Sequence, residues 1–460
     1  MTNLVASRPT AAGSAPEPRP ASREMLTGVA AGAVLLAGIA VATGNGIYLL
    51  GAVGFVLALL VSVTLHEAGH FLTARRYGMK ATQFFCGFGP TLWSFRRGET
   101  EYGVKAIPAG GFVKIVGMTQ LEEVDPADEP RAFWRQPARQ RAVVLAAGST
   151  VHFILAALLV LFSSLTIGTF AERAPGIGAV SACVPTSVAA VEAAARGTGP
   201  ECPAGSAVPG PAQAAGLRAG DVVVSVDGRP TTEVDDFLEQ VRGRAGQPVP
   251  LVVERDGVRQ TLTLTPVPAE RRTLDPDDGD AVETVGAIGV VPRPRLTTER
   301  LGPVEALQHS GTVAVQMLEG IQRTVTEKLP TITQVYSEDR DPRGFIGVVG
   351  AGRISGEVLA SEETLGFKAL QFLLLVAGLN LFVGLFDLLP LLPLDGGHLA
   401  VLVFEQVRDK LKRMRCYTGE LLRVDLTRLL PMTYAVVVLF AGFTVWLLGA
   451  DIVNPIRLNP

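Results

Sequence analysis

Apolar positions along the chain fall into two regimes. Uninterrupted runs occupy Tyr48 to Leu72, Ala142 to Leu165, Leu365 to Leu389 and Met432 to Leu448. Each is long enough to cross a hydrocarbon core of about 30 Å as a helix. Between the second and third runs, short apolar stretches instead alternate with polar residues and are bounded by Gly-Asp and Asp-Gly turns, as in Gly220-Asp221-Val222-Val223-Val224-Ser225-Val226-Asp227-Gly228. That pattern predicts strands there, at Val249 to Glu254 and at Thr261 to Leu264, with a helix near Val234 to Arg242. A fifth apolar window, Met25 to Ala42, follows a Pro/Ala/Ser-rich opening that reads as a disordered tail. Ala40-Val41-Ala42 resembles a signal-peptide cleavage site, but the run exceeds the usual apolar core of about 7–15 residues, which favours a retained helix.

Charge orients these spans. Arg75, Arg76, Lys80, Arg96, Arg97, Arg139 and Arg141 flank the first two long runs, and Lys410, Lys412, Arg413 and Arg415 precede the last. Short loops rich in Lys and Arg face the cytoplasm, so the segment between the second and third runs is expected outside. The expected divisions are a tail (1–24), an additional helix or signal peptide (25–43), a transmembrane helix (47–72), a cytoplasmic membrane-associated β region (73–141) and a second helix (142–168). An extracytoplasmic region (170–300), an amphipathic helix with linker (301–363), a transmembrane segment (365–398), a basic cytoplasmic segment (399–430) and a last helix (431–450) follow. The fold class is thus a polytopic α-helical membrane protein with four or five transmembrane helices, a small cytoplasmic β-sheet and an extracytoplasmic α+β domain.

Composition agrees: charged residues make up only 18% of the 460, and mean hydropathy is positive. A net charge of −3 leaves no sustained basic field for nucleic acid. The cysteines divide by side. Cys86 and Cys416 are expected as reduced cytoplasmic thiols, whereas Cys183 and Cys202 lie together in the outer region as a disulfide or as two free thiols.

The first long run ends in His66-Glu67-Ala68-Gly69-His70, the H-E-x-x-H pattern. Residues four apart share a helix face, so both imidazoles can bind one zinc while Glu67 reaches a water as general base. Ionisable side chains in a transmembrane helix are costly unless they serve a site, and two of the chain's five histidines fall in this pattern. A catalytic zinc keeps an open position and so needs a third protein ligand. The segment from Asn380 to His398 supplies candidates: Asp395, flanked by Gly396 and Gly397 beyond the helix-breaking Pro390 and Pro393, with His398 as rival and Asp387 behind it.

With these motifs the chain resembles the site-two family of intramembrane zinc metalloproteases, in which a helix-borne H-E-x-x-H is completed by the Asp of a later L-D-G motif, here Leu394-Asp395-Gly396. It is most similar to the bacterial PDZ-containing branch, mycobacterial type, through Gly87-Phe88-Gly89-Pro90, Gly110-Gly111-Phe112 and Asn454-Pro455-Ile456. The resemblance implies one Zn²⁺ per chain on His66, His70 and Asp395. It implies substrates that are single-span membrane proteins such as anti-sigma factors, pre-cut by a site-one protease. It also implies residence in the bacterial inner membrane, with the active site towards the cytoplasmic side. Two departures stand out. The family's A-G-P followed by Asn is Ala147-Gly148-Ser149 with His152 here, and the family's Asn eight residues before the ligand Asp, which holds substrate backbone, is Asp387. An Asp cannot donate the amide hydrogen bonds of Asn; Asn380 is a possible substitute.

Short β-prone runs, Tyr102 to Ile107 and Phe112 to Val116, predict a sheet that either adds an unwound substrate as a strand or caps the helix ends. Gly87, Gly89, Gly110 and Gly111 are its expected substrate contacts. The outer strands and helix, with a core at about 205–268, look like a PDZ domain that either senses a truncated substrate end or excludes bulky substrates. The spacing of Val304, Leu307, Val313, Met317, Leu318, Ile321 and Val325 predicts an amphipathic helix, acting as a gate or packing on that domain. Two competing classes are a non-cutting scaffold, which predicts a missing ligand or base, and a metal transporter, which needs neither Glu67 nor a peptide-binding domain.

Overall fold

The computed structural model describes residues 46–456 except 119–122, 196–201, 203–204, 206, 274–280, 338–339, 342–343, 362 and 415–422. The expected tail and fifth apolar window, and Cys416, lie outside the described residues. The chain divides into two compact units, one running to Ile167 and resuming at Leu301, the other spanning Gly168–Arg300.

The first unit begins with helix α1 (Gly46–Arg76), which carries the H-E-x-x-H motif in its last three turns. Its Leu57, Val61, Leu65 and Leu72 stay exposed, as expected of a face that meets lipid. Two strands follow, β1 (Ala81–Arg97) and β2 (Thr100–Ile115). They are longer than the short runs expected, and each folds back on the other. Phe84 pairs with both Val113 and Tyr102, and Trp93 pairs with Val104, so four segments lie side by side with the Phe112–Ile115 end of β2 at one edge. Gly87, Gly89 and Gly110, all at positive φ, bend the strands where a single register cannot continue, so they kink the sheet without ending it. Helix α2 (Ala138–Thr166) follows Pro137, four residues earlier than the apolar run begins.

The second unit contains β3 (Thr169–Val180), β4 (Cys183–Pro185), α3 (Val188–Ala195), β5 (Ala207–Pro209), α4 (Pro211–Ala214), β6 (Val222–Val226) and β7 (Arg229–Pro230). It continues with α5 (Val234–Arg242), β8 (Val249–Arg255), β9 (Val258–Leu264), β10 (Val267–Arg272), β11 (Val282–Ala287) and β12 (Val290–Glu299). Its main sheet has the antiparallel order β12-β3-β6-β8-β9, with β7 on β6. Alternate residues of β6 and β8 (Val223, Leu251, Val253) face Phe237 and Val241 of α5 in one core. Cys183 and Cys202 are joined as a disulfide, Cα atoms 5.7 Å apart.

The first unit resumes with α6 (Pro303–Arg323), which stops short of Val325, the last residue of the predicted spacing, because a π-turn (Thr324–Lys328) and a 3₁₀ segment (Leu329–Tyr336) succeed it. Helix α7 (Val348–Ala360) lies close against α1: a Cβ on Gly51 would stand 2.4 Å from the Ser355 carbonyl oxygen. Helix α8 (Leu365–Asp387) ends before Pro390 and Pro393, and α9 (Asp395–Met414) starts afresh. Gly396 and Gly397 have no unusual backbone angles. They are glycine because a Cβ would meet Leu388 backbone at 2.2 Å and Leu391 backbone at 2.6 Å, where the turn folds back on the helix start. Helix α10 (Leu430–Val453) closes the unit. Among the described residues four helical segments, Gly46–Arg76, Ala138–Thr166, Leu365–Asp387 and Leu426–Val453, are long and apolar enough to cross a membrane.

A cluster formed by Phe71, Ala74, Met79, Ile115, Val144 and Leu402 ties the end of α1 to β2, α2 and α9. It lies beside the motif and fixes the three helices that meet there.

Candidate metal centre

His66 and His70 lie one turn apart on α1, with their Nε2 atoms 3.1 Å from each other. Asp395, the first residue of α9, brings Oδ2 to 2.9 Å from His70 Nε2 and 3.7 Å from His66 Nε2. Among the described residues these three form a set whose ligand atoms all lie within 4.8 Å of one another. His398 is not in it; one turn along α9, it lines a separate cavity with Arg141, Glu405 and Trp134.

The donor set fits a cation. His70 Nδ1 is 2.7 Å from the Val144 carbonyl, which can only accept, so Nδ1 carries the proton and the neutral ring presents an Nε2 lone pair. Asp395 Oδ2 is buried and accepts no hydrogen bond. Acceptor atoms converging without donors between them are what a bound metal would satisfy. The space is shaped to match: a Cβ on Gly148 of α2 would lie 2.3 Å from His66 Cε1 and 2.5 Å from His70 Nε2.

Glu67 points to the sheet. Its carboxylate accepts from the Val113 backbone amide, and a Cβ on Gly111 would come 3.4 Å from Glu67 Cγ. The edge segment of β2 therefore borders the carboxylate. Gly87 and Gly89 lie at bends farther along β1, facing Ile107.

The remaining expected residues form two polar links between α2 and α8. Ser149 Oγ donates to Asp387 Oδ2 at 2.7 Å, and His152 Nδ1 lies 2.8 Å from Asn380 Oδ1. Asn380 is fully buried and its amide nitrogen donates to Ser62 Oγ and the Val376 carbonyl, so its polar atoms are committed internally. The His152 ring stands 5.1 Å from that of His66. Sequence reasoning missed the Val144 carbonyl and the Val113 amide, because backbone groups leave no residue signature. Gly148, an isolated glycine in an apolar helix, was the available signal of close approach.

Two imidazoles on a long apolar helix and the carboxylate that opens α9, beside a glutamate at a strand edge, are the arrangement of a membrane-embedded metallopeptidase. The sequence profile described as peptidase family M50 matches residues 54–420, and the chain belongs to that family. Over 424 residues it is 38% identical to the zinc metalloprotease Rip1 of Mycobacterium bovis, covering 89% of this chain and 99% of that one. Rip1 of Mycolicibacterium smegmatis is 35% identical over 421 residues (89% and 98% covered). The regulator of sigma-E protease RseP of Salmonella typhimurium is 28% identical over 432 residues (77% and 90% covered). The chain is accordingly an intramembrane metalloprotease with zinc as its cofactor.

Proposed function

We propose that this protease hydrolyses a peptide bond within or beside the transmembrane segment of single-span membrane proteins, anti-sigma factors or similar regulators, after a first protease has shortened their outer part. The observation that carries the reading is the convergence of His66 Nε2, His70 Nε2 and Asp395 Oδ2 beside Glu67, at a helix long and apolar enough to cross a membrane. The name of the Salmonella relative, a regulator of sigma-E protease, supports the class of substrate.

In this reading His66, His70 and Asp395 hold one zinc. When bound, zinc supplies Lewis acidity towards a carbonyl oxygen and a water. Glu67 takes the proton from the attacking water and passes it to the leaving amine. The Val113 amide holds the Glu67 carboxylate in place between these transfers. A helical peptide bond is shielded and already hydrogen-bonded, so the substrate must unwind, and the Gly111 to Ile115 edge is suited to receive it as an added strand. Gly110 and Gly111 keep that edge close to Glu67, while Gly87 and Gly89 shape the bend opposite.

The arginine distribution supports a bacterial inner-membrane orientation with the Gly168–Arg300 unit outside and the metal site towards the cytoplasm. The antiparallel sheet with α5 across it supports a PDZ-like domain, read here as a filter that excludes substrates with bulky outer domains. The test is co-expression with tagged single-span proteins. The native chain should release the cytoplasmic fragment, Glu67→Gln should not while keeping its zinc, and Asp395→Asn should lose zinc. Cleavage persisting in Glu67→Gln would sink the mechanism.

A further inference from the structure

Asp387 ends α8 and Asp395 begins α9, and the turn between them is closed by a side chain. Asp387 Oδ1 accepts the backbone N–H of Asp395 at 3.3 Å, as a helix N-cap would. Its other oxygen, Oδ2, accepts from Ser149 Oγ at 2.7 Å. Ser149 is 1% exposed and follows Gly148, the residue packed against both imidazoles. A single carboxylate therefore links α2, α8 and α9 beside the metal site.

We infer that Asp387, braced by Ser149, is a positioning residue that sets Asp395 for zinc, and that it does not anchor substrate. The inference rests on the reading of Asp395 as a ligand. An aspartate side chain is short, so the place of its backbone nitrogen governs where Oδ2 can reach. The Ser149 hydroxyl and the Asp395 amide are both donors, and each meets a different oxygen of the Asp387 side chain. Each Asp387 oxygen is thus already engaged inside the protein. The serine at 149 and the aspartate at 387, each a departure from the family pattern, are thus two halves of one hydrogen bond. Partners that orient metal ligands typically contribute about 10- to 100-fold to metal affinity.

The experiment measures zinc affinity of the purified full chain in detergent by chelator competition, with KM for a tagged single-span substrate measured at saturating zinc. Asp387→Ala should weaken zinc binding by about 10- to 100-fold and leave KM unchanged. Asp387→Asn should recover most of the affinity, because its carbonyl oxygen can still accept from Asp395 and the Ser149 hydroxyl can turn to accept from its amide. Ser149→Ala, a change easily tolerated in a helix, should show a smaller loss in the same direction and add nothing in the Asp387→Ala background; it carries the test if Asp387→Ala fails to fold. Native zinc affinity in both Ser149→Ala and Asp387→Ala, or a raised KM with zinc affinity intact, overturns the inference while the ligand reading stands. Native zinc affinity in Asp395→Asn overturns the ligand reading and the inference with it.

Discussion

Nδ1 of His70 lies 2.7 Å from the carbonyl oxygen of Val144, so a turn of α2 sets both the tautomer and the angle of an imidazole carried by α1. One turn later on α2, Gly148 leaves no room for a methyl group between the two rings. The candidate metal site is therefore a property of how closely two helices approach, as much as of the motif on one of them.

Gly148→Ala should accordingly damage zinc binding without touching a ligand. Overpacking of this kind costs about 1–3 kcal/mol, which corresponds to roughly 5- to 150-fold in a dissociation constant. Thr150→Ala, on the exposed face of the same helix, should have no effect. Chelator competition on both variants checks the contrast.

The hydrogen bond from the Val113 amide to Glu67 yields a second outcome. Val113→Pro removes that donor, and because Val113 lies in the edge segment, where proline is tolerated, the sheet should survive. A hydrogen bond to a charged group is worth about 1.5–3 kcal/mol, so the turnover number should fall roughly 10- to 150-fold with zinc content unchanged. Single-turnover cleavage of a tagged substrate is the measurement.

Much of this arrangement is legible in the sequence, and the illegible part has a physical pattern. His66 and His70 declare themselves because helical periodicity fixes their shared face, and the four long apolar helices among the described residues because apolar length admits little else. The helix at Val234–Arg242 follows from amphipathic spacing. Position 395 is less open, since Asp395 and His398 both sit beyond the same prolines, and only the angle at which α9 leaves the turn turns one inward and the other away. The β region misleads for a related reason. Its glycines read as breaks between short strands, whereas at positive φ they bulge two long strands that keep pairing. Contacts made by backbone atoms, Val144 to His70 and Val113 to Glu67, depend on position alone and leave no trace in residue type.

Arg340 and Asp451 form a buried pair, 2.9 Å apart, with side chains 4% and 1% exposed. The same Asp451 carboxylate accepts the amides of Gly347 and Gly350, capping α7 from the end of α10. Removing one partner of a buried pair typically costs about 3–5 kcal/mol, because the other charge is left uncompensated. Asp451→Ala should therefore lower thermal stability in detergent markedly and raise hydrogen exchange in Val348–Ala360 before it does so in α1. Unchanged protection of α7 would show that its packing on α1 suffices without the cap.

The pH dependence of the Gly168–Arg300 unit should centre on Asp221. Burial alone would raise its carboxyl above the usual range, but the Arg255 guanidinium, which grips both oxygens at 2.6 and 2.7 Å, and the Arg218 amide outweigh burial and hold it below. A carboxylate lowered in the folded state contributes stability that is fully present above its unfolded value, about 3.9, and is lost as pH falls through the lower folded value. Exchange protection of Val222–Val226 and Val249–Arg255, corrected for intrinsic rates, should therefore hold at neutral pH and decline below about pH 4. In Asp221→Asn it should be weaker at neutral pH, since Arg255 loses its charged partner, and this carboxylate's share of the acid-side decline should vanish. An acid-side decline of the same size in Asp221→Asn as in the native chain would assign the sensitivity to other carboxylates.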